Sequence, residues 1–469
     1  MIRSIQAGFA LALSATCGAQ AAQAATLPSP APEPTSNAEI QALRQDMAAL
    51  RAAYEAQLRA LDERLKAAEA GLTAAATRTA APAVPTPPAA GTAAAANAFN
   101  PQISLILSGG YTHTGRDPAG YAIKGFALPQ DAEAGPGGRG FQLAETELGL
   151  AASIDPWLNG AANIALHPDN VVSVEEAYLQ TTALSNGLSL KAGRFFSGIG
   201  YLNAQHAHSW DFVDNPLAYQ ALLGTQYGDD GLQLHWLAPT DQFIELGAEL
   251  GRGRSYPGSD SSRNAAGMGA LYAHSGGDLG DSQSWRAGLS WLTAQASDQV
   301  LAASDAQGNP VQNAFSGRTR VWIADAVWKW APNGNATRTS FKLQGEYLRS
   351  QREGSLLADL GPNEQAGSYR ATQSGWYLQA VYQFQPGWRL GLRTERLDPG
   401  QVDYGINNPA LASASGAPRK DSLMLDYSAR EFSRLRLQFA LDRSRAGAGD
   451  RQIQLQYQMS LGAHGAHSY

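Results

Sequence analysis

The sequence predicts an all-β transmembrane β-barrel of about sixteen antiparallel strands, preceded by an N-terminal α-helical coiled coil. From Ile103 onward apolar residues recur at every second position, as in Ile453, Leu455 and Tyr457 among glutamines, and a period of two is typical of strands. Short and long links alternate between these runs, as the two rims of an outer-membrane barrel require. Beyond the extreme N-terminus, no run approaches the ~20 apolar residues of a transmembrane helix.

The first segment, residues 1–24, has the features of a secretory signal. Arg3 precedes an apolar run from Phe9 to Ala15, and small residues end the segment at Ala24, which is the order expected of a cleaved leader. Cys17 is the one cysteine, and it would leave with this leader. A cysteine-free mature chain suits an oxidising envelope compartment. The alternative makes Cys17 a lipidated N-terminus.

The next three segments precede the barrel, which we assign to residues 99–469. Residues 25–36 are a proline-rich lead-in, and residues 73–98 are an alanine- and proline-rich spacer. Between them, residues 37–72 carry an apolar seam with alternating steps of three and four, beginning Ile40, Leu43 and Met47. This spacing predicts a coiled coil. One apolar stripe cannot bury itself, so the segment predicts self-association; the alternative is a solitary solvated helix.

Charge and motifs exclude several function classes. The 35 basic and 41 acidic side chains give a formal net charge of −6, which argues against a nucleic-acid partner. There is no nucleophile elbow, phosphate-binding loop or HExxH motif. We therefore predict no enzymatic activity and no cofactor, with zinc as the one candidate metal.

An even strand count places both termini on the periplasmic side of a barrel in the bacterial outer membrane. The links on the opposite side are mostly long, and they include Gln295–Gly317, Ser350–Thr372 and Asp398–Lys420. The link Ser197–Gly228 is rich in aromatic residues, histidine and aspartate. Long loops in compact domains are usually functional, and we predict that this one folds into the barrel and narrows its pore.

Six residues in and before this link are the predicted pore constriction. They are Lys191, Arg194, His206, His208, Asp211 and Asp214. Arg194 shares strand parity with the apolar Leu190 and Ala192, so it should lie at the rim or after a bulge.

Charged residues of the predicted strands should face a wet lumen, because a charge facing lipid costs several kcal/mol near the midplane. The predicted lumen charges are Glu145, Glu147, Glu175, Lys342, Glu346, Arg389, Arg393, Arg434 and Arg436. Glu175 and Glu176 are adjacent and cannot both face the lumen in a regular strand. The four arginines could form an anion track; the alternative is a wall of mutually paired charges.

His206 and His208 flank Ala207, so an extended segment would place both imidazoles on one face. They could bind one metal ion together with Asp211 or Asp214. The alternative is loop packing, in which these side chains hydrogen-bond to the backbone.

The run RFFSGIGYLNAQHAHSWDFVDNPLAYQALLG, with GDDGLQLHWLAPT and the opening FNPQISLILSGGY, resembles a family of proteobacterial outer-membrane proteins often labelled zinc-regulated TonB-dependent outer-membrane receptors. The resemblance covers Phe99–Tyr469. The segment between the spacer and Ile103 is too short for a plug domain, so we expect a barrel without a plug. The overall plan is similar to the phosphate-selective porins, which implies a trimer, formed through residues 37–72, and an anion preference.

Together these patterns predict an outer-membrane, porin-like channel for passive diffusion of small polar or charged solutes. Its partners would be outer-membrane lipid and two further copies of the chain. One alternative is a structural or receptor barrel with a closed lumen, tethered by its coiled coil to peptidoglycan or another partner. The other is a zinc-associated channel that uses His206 and His208.

Overall fold

The structure is a computed structural model, and it describes residues 102–129, 132–144, 146–259, 264–358, 364–411, 416–430 and 432–462. The predicted signal, lead-in, coiled coil and spacer, residues 1–98, lie outside the described residues. So does Glu145, one of the predicted lumen charges.

The described chain forms seventeen strands and one short α-helix, α1, Leu217–Leu223. The strands are β1 Gln102–Thr114, β2 Gly140–Leu143, β3 Thr146–Asp155, β4 Leu158–Leu166, β5 Val172–Thr181, β6 Leu188–Phe196, β7 Gly228–Leu237, β8 Phe243–Gly251, β9 Met268–Asp278, β10 Gln283–Ser304, β11 Pro310–Trp330, β12 Ser340–Ala358, β13 Gln365–Gln385, β14 Trp388–Asp403, β15 Arg419–Arg430, β16 Ser433–Asp442 and β17 Asp450–Gly462.

The sheet closes on itself into a barrel with sixteen strand positions. From β3 onward each strand pairs antiparallel with the next, and β17 returns to pair with β1 from Ser104↔Gly462 to Thr114↔Gln452. β2 and β3 both pair with β1, so together they fill one position. The predicted strand number and antiparallel order are confirmed.

The barrel has its apolar side chains outside and its polar side chains inside. On β17, Ile453, Leu455 and Tyr457 are 37%, 40% and 45% exposed, whereas the alternating Gln452 and Gln454 are buried. A soluble sandwich would show the reverse order. No helix within the described ranges is long and apolar enough to cross a membrane.

The two rims differ in the length of their connections. Turns such as Pro156–Trp157 and Pro386–Gly387 join strands at one rim, and Gln102 and Gly462, the ends of the described barrel, lie at that same rim. The opposite rim carries the long loops, residues 115–139, 197–227, 252–267 and 404–418 among them.

Three predicted long links proved shorter than expected, because the strands continue through much of them. β10 and β11 stay paired to Ser304↔Pro310, which leaves only residues 305–309 as the turn. β12 and β13 pair to Ala358↔Gln365, and β14 runs on to Asp403. Strands β10–β13 have 19 to 22 residues, about twice what spans a bilayer. The distal halves of these strands extend beyond the bilayer, so their residues need not alternate between apolar and polar. The sequence there lacks the strand pattern, and for this reason it predicted loops.

Candidate functional site

Residues 197–227, the inserted loop, connect β6 to β7 and lie inside the barrel. The backbone N–H groups of Gly200, Leu202 and Leu217 donate to Ser290 on β10, Glu346 on β12 and Glu395 on β14 at 3.0, 3.0 and 2.5 Å. Wall side chains thus hold the loop by its backbone along much of its length.

Part of the lumen is filled by a hydrophobic core that the inserted loop forms with the wall. Helix α1 follows Pro216 and ends at Gly224, whose φ of 65° is left-handed. All seven helical residues are buried, and Leu217, Tyr219 and Leu222 belong to a cluster with the wall residues Ile323 and Leu348. This side of the loop is therefore packed against the barrel wall.

Two aspartates fasten the middle of the loop to the strands β12–β15. Asp211 lies 2.5 Å from the ammonium of Lys342 and 3.1 Å from the guanidinium of Arg389. Asp214 lies 2.6 Å from Arg393 and forms an ion pair with Lys420. Burial would raise the pKa of both carboxyl groups, but these cations hold each pKa below its ordinary value.

The four late arginines do not form an open anion track. Asp426 on β15, which is fully buried, pairs with Arg389, Arg434 and Arg436, and Arg393 pairs with Asp214 and Glu395. Arg436 also donates to the carbonyl oxygen of Trp210 at 2.6 Å. The anion-track interpretation is wrong for these residues, since nearby carboxylates neutralise them and the loop uses them as anchors.

Every predicted lumen charge within the described residues faces the barrel interior, and each contacts the inserted loop. These are Glu147, Glu175, Lys342, Glu346, Arg389, Arg393, Arg434 and Arg436. The sequence reasoning missed Glu176, Lys420 and Asp426, which also contact the loop or its anchors. Alternation with Leu425 and Tyr427 would have placed Asp426 inside.

The two basic residues of β6 differ in position. The ammonium of Lys191 lies 4.4 Å from the centre of the Tyr178 ring, on the wall and away from the open part of the lumen. Arg194 follows Gly193, whose φ is 131°, and its guanidinium pairs with Asp230 at 2.6 Å. Arg194 borders the open lumen near the long-loop rim.

A β-bulge turns two consecutive glutamates toward the lumen. In the pairing of β4 with β5, Asn163 is opposite Glu176 but Ile164 is opposite Val174, so Glu175 is the extra residue. Both carboxylates consequently reach His206, at 3.4 Å for Glu175 and 3.0 Å for Glu176. The expectation for a regular strand fails here because the strand is irregular.

His206 and His208 do not face a common ligand position. Their rings are stacked with centroids 5.6 Å apart. His206 Nδ1 points at Glu147 and Glu175, whereas His208 Nδ1 lies 2.8 Å from the other oxygen of Glu147. Asp211 and Asp214 are held by cations of β12–β15. The predicted combination of both histidines with either aspartate is therefore wrong.

The charge around His206 is strongly negative. Burial lowers the pKa of His206, but the carboxylates of Glu175, Glu176 and Glu147 outweigh it, so this pKa lies well above its ordinary value. This negative cluster lies against β3–β5, and the cations that bind the two aspartates belong to β12–β15.

A polar cavity of about 500 Å³ remains between the inserted loop and the wall formed by β1, β5, β6 and β17. Its lining carries both signs of charge, contributed by Glu175, Arg194, Asp214 and Arg254, and it includes the wall residues Ser108 and Thr112 together with Gln454 and Gln456. Among the predicted constriction residues, Arg194, His208 and Asp214 border this cavity.

Comparisons with known proteins give distant similarities. No protein-family model matches the sequence. An uncharacterised protein of Aquifex aeolicus is 29% identical over 79% of this chain and 80% of that protein.

Solved structures with similar folds include OmpT of Vibrio cholerae with loop L8 deleted, at a TM-score of 0.48, 10% identity, and coverage of 77% of this chain and 99% of that one. The anion-selective porin of Comamonas acidovorans has a TM-score of 0.46 at 10% identity and the same coverage. The outer-membrane channel DcaP of Acinetobacter baumannii has a TM-score of 0.44 at 12% identity, covering 77% and 97%.

Proposed function

We propose that this protein is a bacterial outer-membrane channel through which small polar or charged solutes diffuse. The observation that carries the proposal is the polar cavity left between the inserted loop and the wall of a closed barrel.

The outer surface supports a membrane location. Large apolar side chains such as Leu392, Leu423 and Phe439 are 58%, 41% and 45% exposed, which water would disfavour and lipid would not. Near the short-turn rim, the rings of Trp388 and Tyr427 contact each other in a tilted arrangement with centroids 4.5 Å apart. Aromatic residues concentrate at the interfacial ends of such barrels.

A location in the outer membrane would also define which rim of the barrel faces the periplasm and where the coiled coil lies. Outer-membrane barrels have short turns in the periplasm, so the short-turn rim, with both ends of the described barrel, would be periplasmic. The coiled coil of residues 37–72 would then extend into the periplasm, where it would join three copies of the chain and could contact peptidoglycan.

Cysteine labelling in planar bilayers tests the path directly, because residues 99–469 contain no cysteine. Ser108 lines the cavity, and its neighbour Leu107 faces outward with 39% exposure. A charged methanethiosulfonate reagent should reduce the conductance of Ser108→Cys and leave that of Leu107→Cys unchanged. Equal responses of the two variants would contradict the proposed path.

The second candidate is a closed barrel with a structural or receptor role. It is favoured by the hydrophobic core inside the lumen, where α1 packs against β12–β14. Purified protein that is folded but shows no conductance steps would support it. Retention on isolated peptidoglycan, lost on removal of residues 37–72, would then identify the coiled coil as a tether.

A further inference from the structure

We infer that Glu147, Glu175 and His206 form a binding site for a divalent transition-metal ion such as zinc, which fastens the inserted loop to β3 and β5. The inference concerns binding alone and does not depend on whether the barrel conducts. It replaces the pairing of His206 with His208 that the sequence suggested.

The spacing of the three donor atoms suits such an ion. His206 Nδ1 lies 3.4 Å from Glu147 Oε1 and 3.4 Å from Glu175 Oε2, and one ligand atom from each residue lies within 4.8 Å of the others. Zinc binds imidazole nitrogen and carboxylate oxygen at about 2.0–2.2 Å in tetrahedral geometry, which separates neighbouring donors by about 3.3–3.6 Å. Small side-chain adjustments would complete the site.

Two of these donor atoms face each other at 3.4 Å. Among the residues that the structure describes, neither His206 Nδ1 nor Glu175 Oε2 has a hydrogen-bond partner, and both atoms are buried, although buried polar atoms are normally satisfied. A metal ion between them would use both lone pairs. It would also offset the mutual repulsion of the carboxylates gathered at this point.

The surrounding residues supply the outer contacts that metal sites usually have. His206 Nε2 lies 3.0 Å from Glu176 Oε2; a proton on Nε2 donated to that carboxylate would leave Nδ1 free to bind metal. His208 Nδ1 lies 2.8 Å from Glu147 Oε2, which orients the opposite oxygen of that carboxylate. Carboxylate–histidine–metal arrangements of this kind orient ligands and strengthen binding.

The site has an entrance and room for a fourth ligand. Glu175 and His208 both line the polar cavity, so an ion could enter from the lumen and retain a water molecule on that side. One imidazole and two carboxylates suit zinc and its first-row neighbours better than copper(I), which prefers sulfur ligands. Magnesium, which retains its water and prefers an octahedron of oxygens, should bind poorly.

Calorimetric titration of the purified full-length chain in detergent, after removal of metal with a chelator, tests the inference. Zinc should bind with one ion per chain, and magnesium should give no comparable heat. Glu175→Gln keeps the size of the side chain, and it should lower zinc affinity by at least about tenfold. His206→Gln should lower it further. His235→Gln, which alters a histidine of β7 paired with Glu245 of β8, serves as the matched control.

Folding of each variant is checked by its heat-dependent gel mobility before titration. Cobalt provides a second readout, because a tetrahedral site with nitrogen and oxygen ligands gives an intense visible absorption that Glu175→Gln should lose. Identical zinc isotherms for wild type and folded Glu175→Gln would overturn the inference. Absence of zinc heat in the wild type would also do so, and would leave His206 as an imidazolium paired with glutamates.

Discussion

The carboxylate of Asp214, near the middle of the inserted loop, lies 2.6 Å from the guanidinium of Arg393 on β14. Both side chains are almost fully buried, and Lys420 on β15 binds the same carboxylate. Removing one partner of a buried ion pair leaves the other charge uncompensated. These charges thus anchor the middle of the loop to β14 and β15, and the loss of one of them should measurably destabilise the protein.

Asp214→Asn should therefore destabilise the folded barrel by about 3–5 kcal/mol, because two buried cations lose their counter-charge. Thermal unfolding in detergent, followed by circular dichroism, measures the effect. The double variant Asp214→Asn with Lys420→Met removes one stranded cation and should recover part of the loss. A double variant as unstable as the sum of the two single variants would show that these charges do not interact.

The anchoring by Asp211 should persist across the neutral range and disappear only in strong acid. Its folded-state pKa is depressed, so its stabilising contribution is complete above the unfolded pKa of about 3.9 and is lost as pH falls below that value. The difference in unfolding temperature between wild type and Asp211→Asn should be constant from about pH 5 to about pH 8 and should shrink toward about pH 2. A difference that grows on acidification would contradict this assignment.

A charged substitution on the outer face of the barrel should destabilise the protein in lipid. Leu423 on β15 is 41% exposed and lies among other outward apolar residues, so Leu423→Arg should reduce the stability of the lipid-embedded barrel by about 2–4 kcal/mol. The folded fraction after insertion into phospholipid vesicles, read from gel mobility, measures it. Leu423→Met keeps the surface apolar and should insert like wild type. Equal insertion of the two variants would mean that this face does not meet lipid.

Selectivity should depend on cavity residues rather than on the arginines of the anchor network. Arg254 borders the cavity with its side chain 34% exposed, whereas Arg436 is 1% exposed. Arg254→Gln should therefore move the reversal potential across a salt gradient toward cation preference. Arg370→Gln, at an exposed position where Arg370 pairs with Glu353, should leave it unchanged. A shift in both variants would point to surface charge and not to the cavity.

The barrel could be predicted from the sequence because apolar and polar residues alternate within each membrane-spanning strand, and this alternation distinguishes the lipid-facing side from the lumen-facing side. Ile453, Leu455 and Tyr457 face outward and the intervening glutamines face inward, and this contrast is local to one strand. The distal halves of β10 and β11 do not show this alternation of apolar and polar residues. Their pairing to Ser304↔Pro310 depends on the partner strand, and a single stretch of sequence does not show its partner.

The candidate site was predictable only in part, for a related reason. The sequence indicated that His206 and Asp211 belong to a loop inside the barrel. Which wall residues each would meet depends on how the loop crosses the lumen, and on the bulge that adds Glu175 to the lumen face. Asp211 turned toward Lys342 on β12 and His206 toward Glu147 on β3, so the expected metal ligands were separated.

The inserted loop contacts the barrel wall on two sides, so it is a fixed part of the lumen and not a movable segment. One of its sides carries α1 and the hydrophobic core, while the other is bound to the wall through His206 and His208. A solute arriving from outside would meet a fixed aperture whose width is set when the barrel is assembled. The largest molecule admitted should accordingly be the same at every temperature at which the protein stays folded.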